Sequence, residues 1–159
     1  MIVVADSGPI HYLVLIDSVD VMHPLFGRVL IPQAVHRELT RLAAPAAVSR
    51  WINNLPPWAE VHPAPSLQEP RFERLGAGER EAILLAREVL ADYLLIDDAR
   101  GRFLAEAQHV RTIGTIGILR SAGKHGLIDF RRSFDKLMAT NFRISSAFRR
   151  QILEELEGE

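Results

Sequence analysis

The chain contains no cysteine, which excludes a disulfide framework, cysteine-ligated zinc and thiol chemistry and fits a reducing cytoplasm. Long apolar runs are missing too. "MIVVA" at the start and "ILLA" at 83–86 are far too short to span a bilayer, and no basic flank marks the N-terminus as a signal peptide. A soluble, cytoplasmic protein with no membrane association is the expectation. His11, His23, His36, His62, His109 and His125 are scattered, without the paired helical or strand spacing that builds a histidine zinc site. Repeats and low-complexity tracts are absent as well.

What remains is the profile of an ordinary globular chain. Its 159 residues are 48% hydrophobic and 25% charged, enough to bury a substantial core in one domain spanning residues 1–159. The net charge of −1 hides an uneven distribution. Residues 100–150 hold eleven Arg/Lys, from Arg100 and Arg102 to Arg149 and Arg150, against Glu106, Asp129 and Asp135, an excess of +8. Two readings stand: solvated helix faces, or a footing for phosphates or an acidic partner.

Strand and helix patterns alternate along the chain. "IVVAD" (2–6) is a β-branched run ending at an acid, followed by helical "SGPIHYLVLID". "RVLIP" (28–32) is a second strand, and Pro32 opens the helix "PQAVHRELTRL", whose Val35, Leu39 and Leu42 share a face that excludes Glu38. Residues 43–77 carry six prolines and read as loops around a short helix near "VSRWINN" and a strand near "AEVHP". "GAGEREAILLAREVLAD" is the clearest helix, with Ala82, Leu85, Ala86 and Val89 in register. Strand "YLLID", helix "ARGRFLAEAQ", strand "VRTIGT" and helix "IGILRSAGKHG" follow. Residues 129–159 close the chain as helices, the last capped at Ser145 or Ser146 with Phe148, Ile152 and Leu156 in register. This alternation predicts an α/β fold with a parallel sheet covered by helices.

The stretch "YLLIDDARGR" (93–102) poses the chemical question, because a buried strand runs into two adjacent acids. Asp98 is explained as the cap of the next helix; Asp97 is surplus. Ligand chemistry in parallel sheets collects at the carboxyl ends of strands, and both Asp6 and Asp97 stand there. Glu79 and Glu81 lie in the first turn of the helix feeding the strand that ends at Asp97, so they face the same edge. Carboxylates about 4 Å apart repel by roughly 4 kcal/mol at an effective dielectric of 20, so converging acids need a cation or a shared proton. Oxygen donors without His or Cys select Mg²⁺ or Mn²⁺, and such a cation among carboxylates suggests phosphodiester hydrolysis.

Taken in order, "VVADSGPIHYLVLID", "RVLIPQAVHREL", "LGAGEREAILLA", "LLIDDARGR" and "TIGTIGILRSAGKHGLI" resemble the PIN-domain family, in particular its prokaryotic branch of VapC-like toxin nucleases, over almost the entire chain. The resemblance implies a three-layer α/β/α fold around a central parallel sheet of four to five strands. Its four acids fall on Asp6, Glu38, Glu79 and Asp97 as catalytic residues, with Asp6, Glu79 and Asp97 as metal ligands and Ser7 beside the first acid. The third acid is more often Asp in the wider family; here it is Glu. Glu81 competes with Glu79, and Asp98 with Asp97. The implied protein is a Mg²⁺- or Mn²⁺-dependent ribonuclease acting on RNA, a homodimer, and the toxin partnered by a small antitoxin protein.

Each of these residues also has a plain structural reading. Asp6 can cap a helix, Glu38 can be a solvated helix residue, Glu79 and Glu81 can be first-turn charges facing the helix dipole, and Ser7 can be a turn residue. Arg100 and Arg102 can pair with the acids or hold phosphate. Two rival classes remain: a receiver-type signalling domain, whose acid pair belongs to the first strand rather than a late one, and a catalytically silent RNA- or partner-binding module that keeps the fold.

Overall fold

The computed structural model describes residues 1–66 and 68–158. Strand β1 (Ile2–Ala5) leads into α1 (Ser7–Leu15) and α2 (Met22–Phe26); β2 (Arg28–Pro32) leads into α3 (Gln33–Leu39) and α4 (Ala46–Asn53). After β3 (Ala59–His62) come α5 (Ala77–Glu88), β4 (Tyr93–Leu95), α6 (Ala99–Ala107), β5 (Thr112–Ile113), α7 (Thr115–Lys124), α8 (Phe130–Met138) and α9 (Ser146–Glu157).

The five strands are all parallel and lie in the order β3-β2-β1-β4-β5. Their side chains alternate between two cores, as the period of two requires. Val3, Ala5, Val29, Ile31 and Leu95 join the core under α1, α2, α3, α4 and α7–α9. Val4, Leu30, Leu94 and Ile96 join the other, under α5 and α6. Both faces are therefore covered, which explains why the strands read as unbroken apolar runs. The result is a three-layer α/β/α sandwich around a five-stranded sheet, the fold class expected from the sequence.

The chain winds outward from β1 through β2 to β3, then crosses to the other side of β1 for β4 and β5. The switch point is the crevice between β1 and β4, where an α/β sheet opens to ligands at its carboxyl edge. The Asp6 N–H donates to the Leu95 carbonyl at 2.9 Å, stitching the two strands together at that edge.

Local differences from the sequence reading have identifiable causes. Pro32 closes β2 opposite His62 rather than opening the helix. Helix α3 stops at Leu39, after which the Arg41 N–H turns to the Glu38 carbonyl three residues back, leaving Leu42 fully exposed rather than on the apolar face. Short α2 and the 3₁₀ turn Val19–Val21 were not expected; they are too brief to show a helical period. Strand β5 is only two residues long, because Gly114 already caps α7. Ser145 is the cap of α9, its hydroxyl accepting from the Phe148 N–H at 3.1 Å.

Phe134 is 1% exposed in the larger core, whereas Leu42 packs on nothing. Phe134→Ala should cost about 3–5 kcal/mol in urea denaturation, and Leu42→Ala should change stability by less than about 0.5 kcal/mol. Equal effects would contradict this placement of α8 and of the loop after α3.

Candidate active site

Asp6 follows the last residue of β1 and is 5% exposed. It precedes α1 but makes no side-chain capping bond, so the helix-cap reading does not account for it. Its Oδ1 is buried without a hydrogen-bond partner among the described residues. Burial pushes the Asp6 carboxyl from 3.8 to about 7, against the opposing Ser7 backbone N–H, and the charges of Glu79, Glu38 and Asp97 add to the rise.

Asp97 lies across the switch point, one residue beyond Ile96. Its Oδ1 accepts the Thr115 N–H and its Oδ2 the Thr115 hydroxyl, both at 2.7 Å. Burial raises its pKa, and the two Thr115 bonds and the Arg102 charge lower it. Glu38, on the solvent-leaning side of α3, turns an oxygen to the Gly78 N–H at 3.2 Å. Glu79 reaches back to the Gly76 N–H at 2.7 Å in a capping box.

The two competing acids are engaged elsewhere. Glu81 accepts the Ala34 N–H at 3.0 Å, capping α3 from a neighbouring helix, and faces Arg37 at 3.5 Å. Asp98 is exposed and caps α6 through the Gly101 N–H at 2.7 Å. The charges of Glu38, Glu79 and Asp97 thus act on Asp6, while Glu81 and Asp98 cap helices α3 and α6. Ser7 opens α1 beside Asp6 and lines a groove with Glu38.

Glycine makes room for these carboxylates. A Cβ on Gly78 would stand 2.4 Å from Glu38 Oε1, and one on Gly114 would stand 3.0 Å from Asp97 Oδ1. Either methyl would press on a carboxylate. Two grooves flank the acids, one of about 460 Å³ including Ser7, His11 and Glu38, the other of about 730 Å³ including Asp97 and Arg102, with Tyr12 common to both.

Among the described residues no three His, Cys, Asp or Glu side chains already form a group that could hold a metal ion. Glu38 and Glu79 are instead each turned onto a backbone N–H. The donor chemistry nevertheless fits a hard divalent cation: all oxygen, with one buried carboxylate oxygen lacking a partner.

Thr115 was not singled out from the sequence, although it is 0% exposed and holds both oxygens of Asp97. A threonine opening a helix after a strand was the available signal, but its meaning depends on β5 lying beside β4.

The sequence profile of the PIN domain matches residues 2–158. The chain belongs to the PIN-domain family. Its parallel sheet and acid-bearing carboxyl edge agree with that membership, and PIN domains are generally nucleases that typically use divalent metals. No curated protein matches the chain. Among the described residues of this PIN domain, no helix is long and apolar enough to cross a membrane.

A folded-state pKa near 7 means that the native protein binds the Asp6 proton more tightly than the unfolded chain does. The resulting stability is complete below about pH 4 and is lost as pH rises through about 7. Metal-free protein should therefore lose on the order of 3 kcal/mol from this group between about pH 5 and pH 8. Asp6→Asn should remove that part of the slope, leaving the contribution of the same sign from Asp97. Urea titrations in chelator at both pH values check this, and parallel pH profiles for the two proteins would refute the assignment.

Proposed function

We propose that this PIN domain is a Mg²⁺- or Mn²⁺-dependent endoribonuclease that hydrolyses RNA phosphodiester bonds, and that it is the toxin of a type II toxin–antitoxin pair. The observation that carries the reading is the buried, unpartnered Asp6 Oδ1 at the switch point, raised in pKa by burial and by three neighbouring acids. Such a group is costly to keep and is the kind found at functional sites.

In this reading Asp6, Glu79 and Asp97 hold the cation, and Glu38 is the fourth acid of the site. When bound, the divalent ion lowers the pKa of an attacking water and offsets the charge of the in-line transition state. Thr115 fixes the Asp97 carboxylate through both of its donors, so that this group is oriented before substrate arrives. Ser7, which lines the smaller groove, offers a hydroxyl to substrate beside Asp6. Glu81 and Asp98 support the neighbouring helices.

Purified protein should cleave single-stranded RNA with Mg²⁺ or Mn²⁺ and stop in excess EDTA. Asp6→Asn should lower turnover by orders of magnitude with an unchanged circular-dichroism spectrum, whereas Asp98→Asn should leave it nearly intact because Asn caps almost as well. Cleavage that survives chelation and belongs to the protein would defeat the metal-dependent reading.

A second reading is a catalytically silent RNA- or partner-binding module. It is favoured by Glu38 and Glu79 being turned onto Gly78 and Gly76 rather than gathered with a third acid. A protein that binds RNA, gains no thermal stability from either cation and cleaves nothing would favour that alternative.

The toxin role brings a small antitoxin partner and a cytoplasmic homodimer into the proposal. The basic excess of residues 100–150 suits an antitoxin with an acidic or apolar segment. Co-expression with the product of a short upstream gene should give a complex that co-purifies and in which RNA cleavage is suppressed. Free, fully active nuclease from that co-expression would remove the toxin role and leave the nuclease reading standing.

A further inference from the structure

The larger groove beside the acids contains an arginine whose part is not accounted for by the carboxylate cluster. Arg102 rises from the first turns of α6 and is half-buried. Its Nε donates to the Thr112 hydroxyl at 3.3 Å, and that hydroxyl in turn donates to Glu106 at 2.7 Å. The guanidinium is thus held along one edge. Its Nη1 lies 3.3 Å from the point where a Cβ on Gly114 would stand, and Asp97 Oδ1 lies 3.0 Å from the same point. Gly114 adopts an extended φ of −89°, open to any residue, so the constraint there is space: a side chain would fill the gap between Arg102 and Asp97.

Two other arginines line this groove, Arg120 and Arg143, the latter exposed in the loop between α8 and α9. Arg120 pairs with Glu155 at 2.9 and 3.0 Å and lies over the Phe148 ring. Among the described residues Arg102 makes no ion pair within 4.0 Å. The same groove is lined by Tyr12 and Phe142, packed edge to face at 4.8 Å, aromatic surface on which an unpaired base can lie.

We propose that Arg102 is a positioning residue that holds a backbone phosphate of a single nucleic-acid strand next to Asp97, the strand leaving the acids through the groove between α6, β5 and the loop joining α8 to α9. This rests on the nuclease reading above and adds to it the residue that sets the strand's register. A phosphate approaching buried carboxylates meets repulsion, and a fixed planar guanidinium beside them offsets it while presenting paired N–H donors. Pinning by Thr112 lowers the side-chain entropy lost on binding. A merely structural Arg102 would neutralise Asp97 and contribute nothing to the salt dependence of strand binding.

The test uses the full chain carrying Asp6→Asn, with Mg²⁺ present, and short fluorescent single-stranded RNA and DNA of one sequence. Anisotropy across roughly 50–200 mM KCl should show Arg102→Gln weakening binding about tenfold and reducing the slope of log affinity against log salt by about 0.7. Arg102→Lys should keep the slope and lose part of the affinity. Thr112→Val, which frees the guanidinium without removing it, should weaken binding less than Arg102→Gln, and it keeps the idea testable if Arg102→Gln unfolds. Arg132→Gln, exposed on α8 outside the groove, should leave affinity unchanged. Equal losses on RNA and DNA are expected, because the phosphate is common to both; a loss confined to RNA would overturn the phosphate contact in favour of a sugar contact. Unchanged affinity and slope for Arg102→Gln, in a protein whose unsubstituted form cleaves RNA, would overturn the role of Arg102 and leave the nuclease standing. An unsubstituted protein that neither binds nor cleaves would overturn both.

Discussion

The constraint on which the rest of the structure depends is the burial of the Asp6 carboxyl at the crevice between β1 and β4. An unsatisfied buried polar atom costs about 1–3 kcal/mol, and here the cost is increased by three further acids acting on the same point. The fold tolerates this because the sheet beneath is covered on both faces by apolar side chains. A continuous core on either side of β1 and β4 fixes the two strand ends, and the acids go where those ends go.

The acids along this edge of the sheet are restrained by main-chain N–H groups, each at the start of a helix. Asp97 is held at the start of α7, Glu38 and Glu79 at the start of α5, Glu81 at α3 and Asp98 at α6. In a parallel α/β fold, helices that follow a strand begin at the carboxyl edge, and α5 begins there because it returns to feed β4. Their positive ends therefore face the region where acids accumulate. The sheet topology supplies both the negative side chains and much of the field that makes them tolerable without a cation.

The architecture was legible because its signals are periodic: apolar strands, amphipathic helices and acids at strand ends. Asp6 and Asp97 could be placed at one edge from the sequence, since each directly follows a strand. Their adjacency required the strand order, which local patterns do not encode. The choice between Glu79 and Glu81 was illegible for a related reason. Glu81 accepts the Ala34 N–H, in a helix many residues upstream, and Glu79 the Gly76 N–H at the start of its own helix, and the first of these contacts is outside any local pattern. Glu38 lies off the apolar face of α3, where a solvated residue and a site residue look alike, and its bond to the Gly78 N–H joins helices that no local pattern brings together. Leu42 was misplaced because the helix tightened into a turn after Leu39, before the apolar pattern ended.

The distribution of the acids along the chain also bears on how the protein is made. Asp6 belongs to the first strand, and its neighbour across the crevice arrives only at the end of the fourth. On the ribosome, β1 and β2 can pair early, but one flank of β1 stays open until β4 emerges, and parallel pairings of such long range form late. A nascent or prematurely terminated chain that ends before β4 carries Asp6, Glu38 and Glu79 without Asp97 or its Thr115 support. The four-acid neighbourhood is therefore a property of the nearly finished molecule, and synthesis itself delays its assembly until the sheet can close around it.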